Sequence, residues 1–150
     1  MLVKRPWERA MPEQIDFYVL SNAPSNGKQE FACRLCEKAF LNHHHVVIHA
    51  ASHEEAVVLD ELLWTFKPGS FIPHALRQVA QDEPIVIGHR EQPAGGSDVL
   101  IQLADDIPES TGGFTRVAEI VTDSNRDVSR QHYRQYEQAG YQINTHKLQF

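Results

Sequence analysis

Short apolar runs alternate along the chain with segments of helical spacing. Residues 15–20 form an aromatic and β-branched run, which predicts a first strand. After a turn-rich loop over 21–27, apolar side chains from Lys28 to about Leu41 recur at the spacing of a helix, without glycine or proline. Residues 45–50 are mostly apolar and β-branched again, which indicates a second strand, covered on both faces.

A capping box predicts where the second helix begins. The Ser52 hydroxyl can accept from the amide of Glu55, and the Glu55 carboxylate can accept from the amide of Ser52. We therefore expect a helix from His53 to about Trp64, ended by the Pro-Gly pair at 68–69.

The remaining chain continues the same alternation. Ser124 is expected to cap a helix that reaches Ala139, with Gly140 after its end and residues 141–150 extended. Three further apolar runs, the first two separated by a loop around Gly95-Gly96, are typical of buried strands: 84–88, 98–104 and 116–122. The pattern predicts a single three-layer α/β domain with a mostly parallel sheet and helices on both faces.

Length and composition agree with one domain. The 150 residues are 41% hydrophobic and 23% charged, which excludes a disordered, collagen-like or coiled-coil chain. Residues 1–14 lack periodicity and are expected to be a flexible tail, with Met11 a possible start, while 15–150 form the domain. The chain has no apolar run near the ~20 residues of a membrane span and no signal-peptide pattern, and its two cysteines favour a cytoplasmic protein.

The charge is unevenly distributed. The net charge is −6, which argues against broad coating of nucleic acid. Residues 1–115 carry 9 basic and 16 acidic side chains, whereas 116–150 carry 5 and 4. An acidic partner is therefore most easily met by the C-terminal segment.

One motif has the spacing of a zinc finger. Cys33, Cys36, His49 and His53 match its two cysteine and two histidine ligands, which makes a zinc-dependent DNA-binding module the alternative function. Against it, the cysteines lie in a segment of helical periodicity, and the capping box places His49 on a strand, before the helix. We therefore expect no metal site here.

Neither nucleotide chemistry nor other catalysis is indicated. Gly27-Lys28 follows a strand and loop, as in a phosphate-binding loop, but Asn22 replaces the first glycine and Gln29 the magnesium-binding hydroxyl. Nine histidines are present, three of them consecutive at 43–45, without a catalytic constellation. We expect a protein without catalysis and without a cofactor.

Two surfaces remain as candidates. Arg126, Arg130 and Arg134 recur every four residues on the last helix beside Tyr133, which indicates either a solvated face or a site for carboxylates or phosphates. The aromatic segment over 64–73 surrounds a turn, and its rings are either core or a partner interface.

At these two places the chain resembles the chi subunit of the bacterial DNA polymerase III holoenzyme, an accessory of the clamp loader. The resemblance spans about residues 15–146 and implies a nucleotide-binding-like fold without a working nucleotide site. It also implies a binding protein, not an enzyme. It is carried by the residues at 17–20, 59–64, 70–74, 98–101, 130–136, 139–141 and 144–145.

The resemblance implies two protein contacts and no sequence-specific DNA binding or membrane contact. One partner is the acidic C-terminal tail of single-stranded DNA-binding protein, and the other is the psi subunit, which ties chi to the clamp loader. For the tail, the matching positions are Val121, Arg126, Arg130, Tyr133 and Arg134. For the psi subunit, they are Trp64, Phe71, Ile72 and Pro73.

Overall fold

A computed structural model describes residues 14–89, 98–107 and 114–149 of the chain. Within these ranges, seven strands and three helices follow one another, with 3₁₀ turns at Arg77–Val79 and Asp123–Asn125. The elements are β1 (Gln14–Ser21), α1 (Gly27–Leu41), β2 (Val46–Ala50), α2 (His53–Thr65), β3 (His74–Leu76), β4 (Ile85–His89), β5 (Val99–Gln102), β6 (Arg116–Val121), α3 (Arg126–Gln138) and β7 (Ile143–Gln149).

The strands form one sheet in the order β3-β4-β2-β5-β6-β1-β7, and every neighbouring pair is parallel. This confirms the predicted parallel α/β architecture. The three-residue strand β3, which no apolar run indicates, was missed; among the strands that the structure describes it pairs only with β4, and so it forms one edge. The other edge is β7.

Helices cover both faces of the sheet because side chains of each strand alternate between the faces. Leu20 and Ile48 belong to the core that includes residues of α1 and α2. Phe17 and Val47, on the same two strands, belong to the core that includes Tyr136 of α3. The sheet is therefore the middle of three layers.

The capping box of α2 forms with one difference from the prediction. The amide of Glu55 donates to Ser52 Oγ at 3.1 Å, as expected. The Glu55 carboxylate, however, accepts from the amide of Ala51 at 2.8 Å instead of that of Ser52. The helix still begins at His53, as the sequence predicts.

The predicted start of α3 was wrong, and its predicted end is confirmed. The cap is not Ser124: Thr122 and Asn125 cap each other around a 3₁₀ turn, with Asn125 Oδ1 accepting from the amide of Thr122 at 2.8 Å. The sequence offers several capping residues here, and the 3₁₀ turn that precedes the helix uses Thr122 and Asn125, which flank Ser124. Gly140 follows the helix with a φ of 87°, in the left-handed region that suits glycine.

Two sequence expectations fall wholly or partly outside the described residues. Residues 1–13 of the predicted tail and the predicted Gly95-Gly96 loop cannot be compared with structure, and Gln14, assigned to the tail, is the first residue of β1. None of the helices in the described part of the chain is long and apolar enough to cross a membrane.

Candidate functional site

A shallow groove of about 250 Å³ lies between α3 and the strands β1, β6 and β7. Its walls combine apolar strand residues with two cationic side chains of the helix. It is lined by Phe17, Val19, Val121, Arg126, Ser129, Arg130, Tyr133 and Thr145.

The groove forms because α3 follows β6 and packs back across the sheet. Phe17 and Val19 lie two residues apart on β1 and so share the face that α3 covers. The ring of Tyr133 meets Phe17 edge-on, with centroids 5.3 Å apart, and stays 37% exposed. This contact holds the tyrosine beside the groove with part of its ring open to a ligand.

Four of the five residues expected to bind the acidic tail lie together in this groove: Val121, Arg126, Arg130 and Tyr133. Arg134 is exposed but does not line it. A spacing of four residues drifts by about 40° per step around an α-helix, so Arg134 is rotated by about 80° from Arg126. The spacing of four residues predicted that the three arginines share one face of the helix. In the structure they do not point in one direction.

Each groove arginine has an acidic neighbour on its own segment. Arg126 pairs with Asp123 at 2.9 Å, and Arg130 with Asp127 at 3.6 Å. All four side chains are at least half exposed. Such surface pairs contribute about 0–1 kcal/mol. A ligand carboxylate can therefore replace the aspartates at small cost.

A buried polar network fixes α3 on the sheet behind the groove. His132 Nδ1 lies 3.0 Å from the carboxylate of Glu119, and its Nε2 lies 2.6 Å from the carbonyl of Asp105. The Tyr136 hydroxyl donates to Glu119 at 2.8 Å. Since both ring nitrogens face oxygen acceptors, the arrangement suits an imidazolium.

The same contacts shift the pKa values of the network. Burial raises the pKa of the Glu119 carboxyl, and the hydrogen bonds from His132 and Tyr136 only partly oppose this. Burial lowers the pKa of His132, but the hydrogen bonds and charge of Glu119 and the carbonyl of Asp105 outweigh it, so the pKa is raised. Burial and the neighbouring Glu119 raise the pKa of Tyr136.

An aromatic patch, formed by Trp64, Phe71 and Pro73, lies on α2 and the segment before β3. Trp64 is 50% and Phe71 82% exposed, with ring centroids 6.4 Å apart, and Pro73 is exposed. Ile72 is 1% exposed and belongs to the core under α1 and α2, so its side chain is not available to a partner. The expected interface therefore loses Ile72 and keeps Trp64, Phe71 and Pro73.

The four residues with zinc-finger spacing do not converge. Cys33 and Cys36 are buried on α1, where burial raises the pKa of Cys33 to about 12 and that of Cys36 as well, which disfavours thiolate ligands. His49 is buried on β2 and bonds to Gln102 at 2.7 Å, while His53 begins α2. No group of three or more potential ligands capable of holding a metal occurs within the described ranges.

In the segment that resembles a phosphate-binding loop, the polar side chains bind other groups of the protein. Lys28 Nζ donates to the carbonyl of Leu103 at 3.3 Å and lies 3.6 Å from the Glu55 carboxylate. Gln29 also donates to Glu55, at 2.8 Å. The lysine that would contact a phosphate is thus paired with an acid of α2.

A larger cavity of about 480 Å³, which the sequence did not indicate, lies between α1 and the other face of the sheet. Its carboxylates are already engaged: Asp16 accepts from His146 at 3.0 Å, and Asp98 from the amide of His45 at 2.9 Å. The residues that line this cavity do not indicate a class of ligand.

The fold and the groove define a parallel α/β protein with an exposed, partly cationic surface groove. Residues 11–144 match the family model described as DNA polymerase III chi subunit, HolC. The chain is 35% identical over 137 residues to DNA polymerase III subunit chi of Pseudomonas aeruginosa, covering 90% of this chain and 96% of the relative.

Two further relatives carry the same name. The chain is 28% identical to the subunit of Haemophilus influenzae, covering 92% of this chain and 99% of the relative. It is 27% identical to the subunit of Escherichia coli, covering 86% of this chain and 94% of the relative. The chain therefore belongs to the DNA polymerase III chi subunit family, a family of DNA replication proteins, and the resemblance seen in the sequence is confirmed.

Proposed function

We propose that this chain is a non-catalytic adaptor that binds the acidic C-terminal tail of single-stranded DNA-binding protein and links it, through a psi subunit, to the DNA polymerase III clamp loader. The observation that carries the proposal is the groove in which Arg126, Arg130 and Tyr133 lie together beside Val121. Family membership supports a role in replication.

The groove has the chemistry that an acidic peptide end requires. Guanidinium groups donate paired, charge-assisted hydrogen bonds to carboxylates, so Arg126 and Arg130 would hold the tail's aspartates and its terminal carboxylate. Val121 and the exposed part of the Tyr133 ring would contact the tail's last apolar side chain. Arg134 would add positive charge from outside the groove.

The second contact is proposed for the aromatic patch of Trp64, Phe71 and Pro73. Exposed neighbouring rings on a folded surface are typical of protein interfaces, where aromatic side chains are enriched. His74 lies under Trp64, with ring centroids 4.3 Å apart, and is itself held by the carbonyls of Ile72 and Asp60. The tryptophan is therefore already positioned for binding.

A peptide titration tests the tail site. A labelled peptide with the C-terminal sequence of single-stranded DNA-binding protein from the same bacterium is titrated against the wild type, Arg130→Ala and Arg134→Ala. Loss of a charged hydrogen bond at Arg130 should weaken binding about tenfold or more. Arg134→Ala, a matched loss of one charge on the same helix, should weaken it only about two- to threefold.

Equal affinities of the wild type and Arg130→Ala for the peptide would show that the tail does not bind in the groove. An equally large loss in both variants would show that net charge, and not the groove, determines binding. A peptide without its terminal carboxylate serves as a further control, because it should bind more weakly to the wild type.

Co-purification tests the psi contact. Phe71→Ser should abolish most capture of the psi subunit from the same bacterium, because the substitution removes the most exposed ring of the patch. Leu41→Ser is the matched control, since Leu41 is 66% exposed at the end of α1, outside the patch. Equal capture by both variants would contradict the proposed interface.

A further inference from the structure

The edge strand β7 has one open side. Among the described residues it pairs only with β1, so a second row of its backbone groups is available to another strand. The amide of Ile15 donates to the carbonyl of Gln142 at 3.0 Å, which directs the even-numbered residues of β7 toward β1. The odd-numbered residues, including Thr145 and Lys147, therefore carry their N–H and C=O groups on the open side.

This open edge is continuous with the groove. Thr145 lines the groove and lies opposite Phe17 of β1, and Lys147 lies opposite Val19. Since side chains two residues apart share a face, Lys147 lies on the same face as the groove wall. A peptide that leaves the groove past Thr145 meets this edge directly.

Charge at the edge fits an acidic peptide. Lys147 is exposed and forms no ion pair with any residue that the structure describes. Arg126 and Arg130, by contrast, each have an aspartate neighbour. Lys147 is therefore a cation near the groove whose charge is not yet matched.

We infer that an acidic peptide held in the groove continues as an added strand along the open edge of β7, with Lys147 pairing with one of its carboxylates. The inference rests on the proposed tail binding and extends it from the tail's last residues to the segment before them. Backbone hydrogen bonds would supply affinity with little dependence on sequence, while Lys147 would select acidic segments.

Two peptides of different length test the added strand. The short one ends with the last residues of the tail, and the long one adds about seven upstream residues, the length of β7. The long peptide should bind about three- to tenfold more tightly. Lys147→Gln should remove much of that gain. The control is Gln138→Ala at the end of α3, which should keep the gain.

Backbone methylation separates strand pairing from simple charge attraction. N-methylation of alternate amides in the added segment should remove the gain in one register and leave it in the other, because only every second amide faces β7. Hydrogen exchange at the amides of Thr145 and Lys147 should slow with the long peptide more than with the short one.

The outcomes distinguish the two proposals. If the short peptide does not bind, the proposed tail site fails. If the short peptide binds but the added residues give no gain, or methylation in either register has the same effect, the added strand is overturned while the tail site remains. A gain lost in Lys147→Gln but insensitive to methylation would also overturn the added strand.

Discussion

At the scale of single residues, the acids beside the groove would compete with the acidic tail proposed to bind there. Asp123 lies 2.9 Å from Arg126, so an incoming carboxylate must displace it. Asp123→Asn should therefore strengthen binding of the tail peptide about two- to fivefold. The measurement is a peptide titration by fluorescence anisotropy.

The control for this prediction is Asp82→Asn, which makes the same change in net charge at an exposed acid in the segment before β4. It should leave the affinity within about twofold, because screening limits surface interactions to about 8 Å at physiological salt. If the two variants gain equally, competition at Arg126 is not the cause.

The buried network under α3 makes stability depend on pH. Glu119 and His132 both have raised pKa values in the folded protein, so the folded state holds protons more tightly than the unfolded chain. The contribution of His132 to the free energy of unfolding is complete below its ordinary pKa of 6.5. It is lost as the pH rises through the raised pKa of the folded protein. Stability should fall as the pH increases in this range.

Urea unfolding at a series of pH values checks this sign. From about pH 6.5 upward, the free energy of unfolding should fall more for the wild type than for His132→Gln, because only the wild type loses the proton of His132. His53→Gln, at an exposed histidine, should keep the wild-type slope. A steeper fall in His132→Gln would contradict the assignment.

Single residues also show the limits of sequence reasoning. The sequence identifies Arg126 and Arg130 because they recur on one helix. It does not identify Phe17 or Thr145, which reach the groove from strands more than 100 residues apart in the chain. Ile72 was expected at the psi interface because its position matches the family resemblance, but in an extended segment alternate side chains face opposite ways, and here it faces the core.

At the scale of elements, α3 is held at both ends by local geometry. After its last turn, Gly140 donates to the carbonyl of Glu137 at 3.0 Å, and Tyr141 to that of Tyr136 at 3.1 Å. These two bonds form a Schellman motif, and the rings of Tyr136 and Tyr141 pack edge-on beside it. The helix that carries the arginines thus has a fixed length.

Gly140→Ala tests this end of the helix. The φ of 87° disfavours a Cβ atom, while no atom within 4 Å would meet it, so the cost is conformational and should be about 1–2 kcal/mol in urea unfolding. Gly140→Asn should cost less, because asparagine tolerates the left-handed region, as Asn22 does in this chain. Equal stability of the wild type and Gly140→Ala would contradict the motif.

Elements were predictable where several local signals agree. The start of α2 follows from the capping box, and the parallel strands follow from short apolar runs that alternate with helices. The three-residue strand β3 has no such run and exists because β4 provides its pairing partner. Near α3, the four consecutive residues 122–125 are all capping types, so the sequence alone does not single out the pair of Thr122 and Asn125 that forms the capping box.

At the scale of the whole molecule, the two proposed interfaces lie far apart. The groove is bounded by β1 and β7 at one edge, and the aromatic patch adjoins β3 at the other. Five strand spacings separate β1 from β3, about 24 Å. The groove also lies on the face covered by α3, whereas the patch belongs to the side covered by α2.

Both partners should therefore bind at the same time and without coupling. The sites share no residue, and the distance exceeds the screening length of about 8 Å. The affinity of the labelled tail peptide for a preformed complex with the psi subunit should stay within about twofold of its affinity for the free chain. Phe71→Ser, titrated with the psi subunit present, provides the uncomplexed reference. A tenfold change on complex formation would require a coupling free energy of about 1.4 kcal/mol, which a rigid sheet between independent surfaces does not supply.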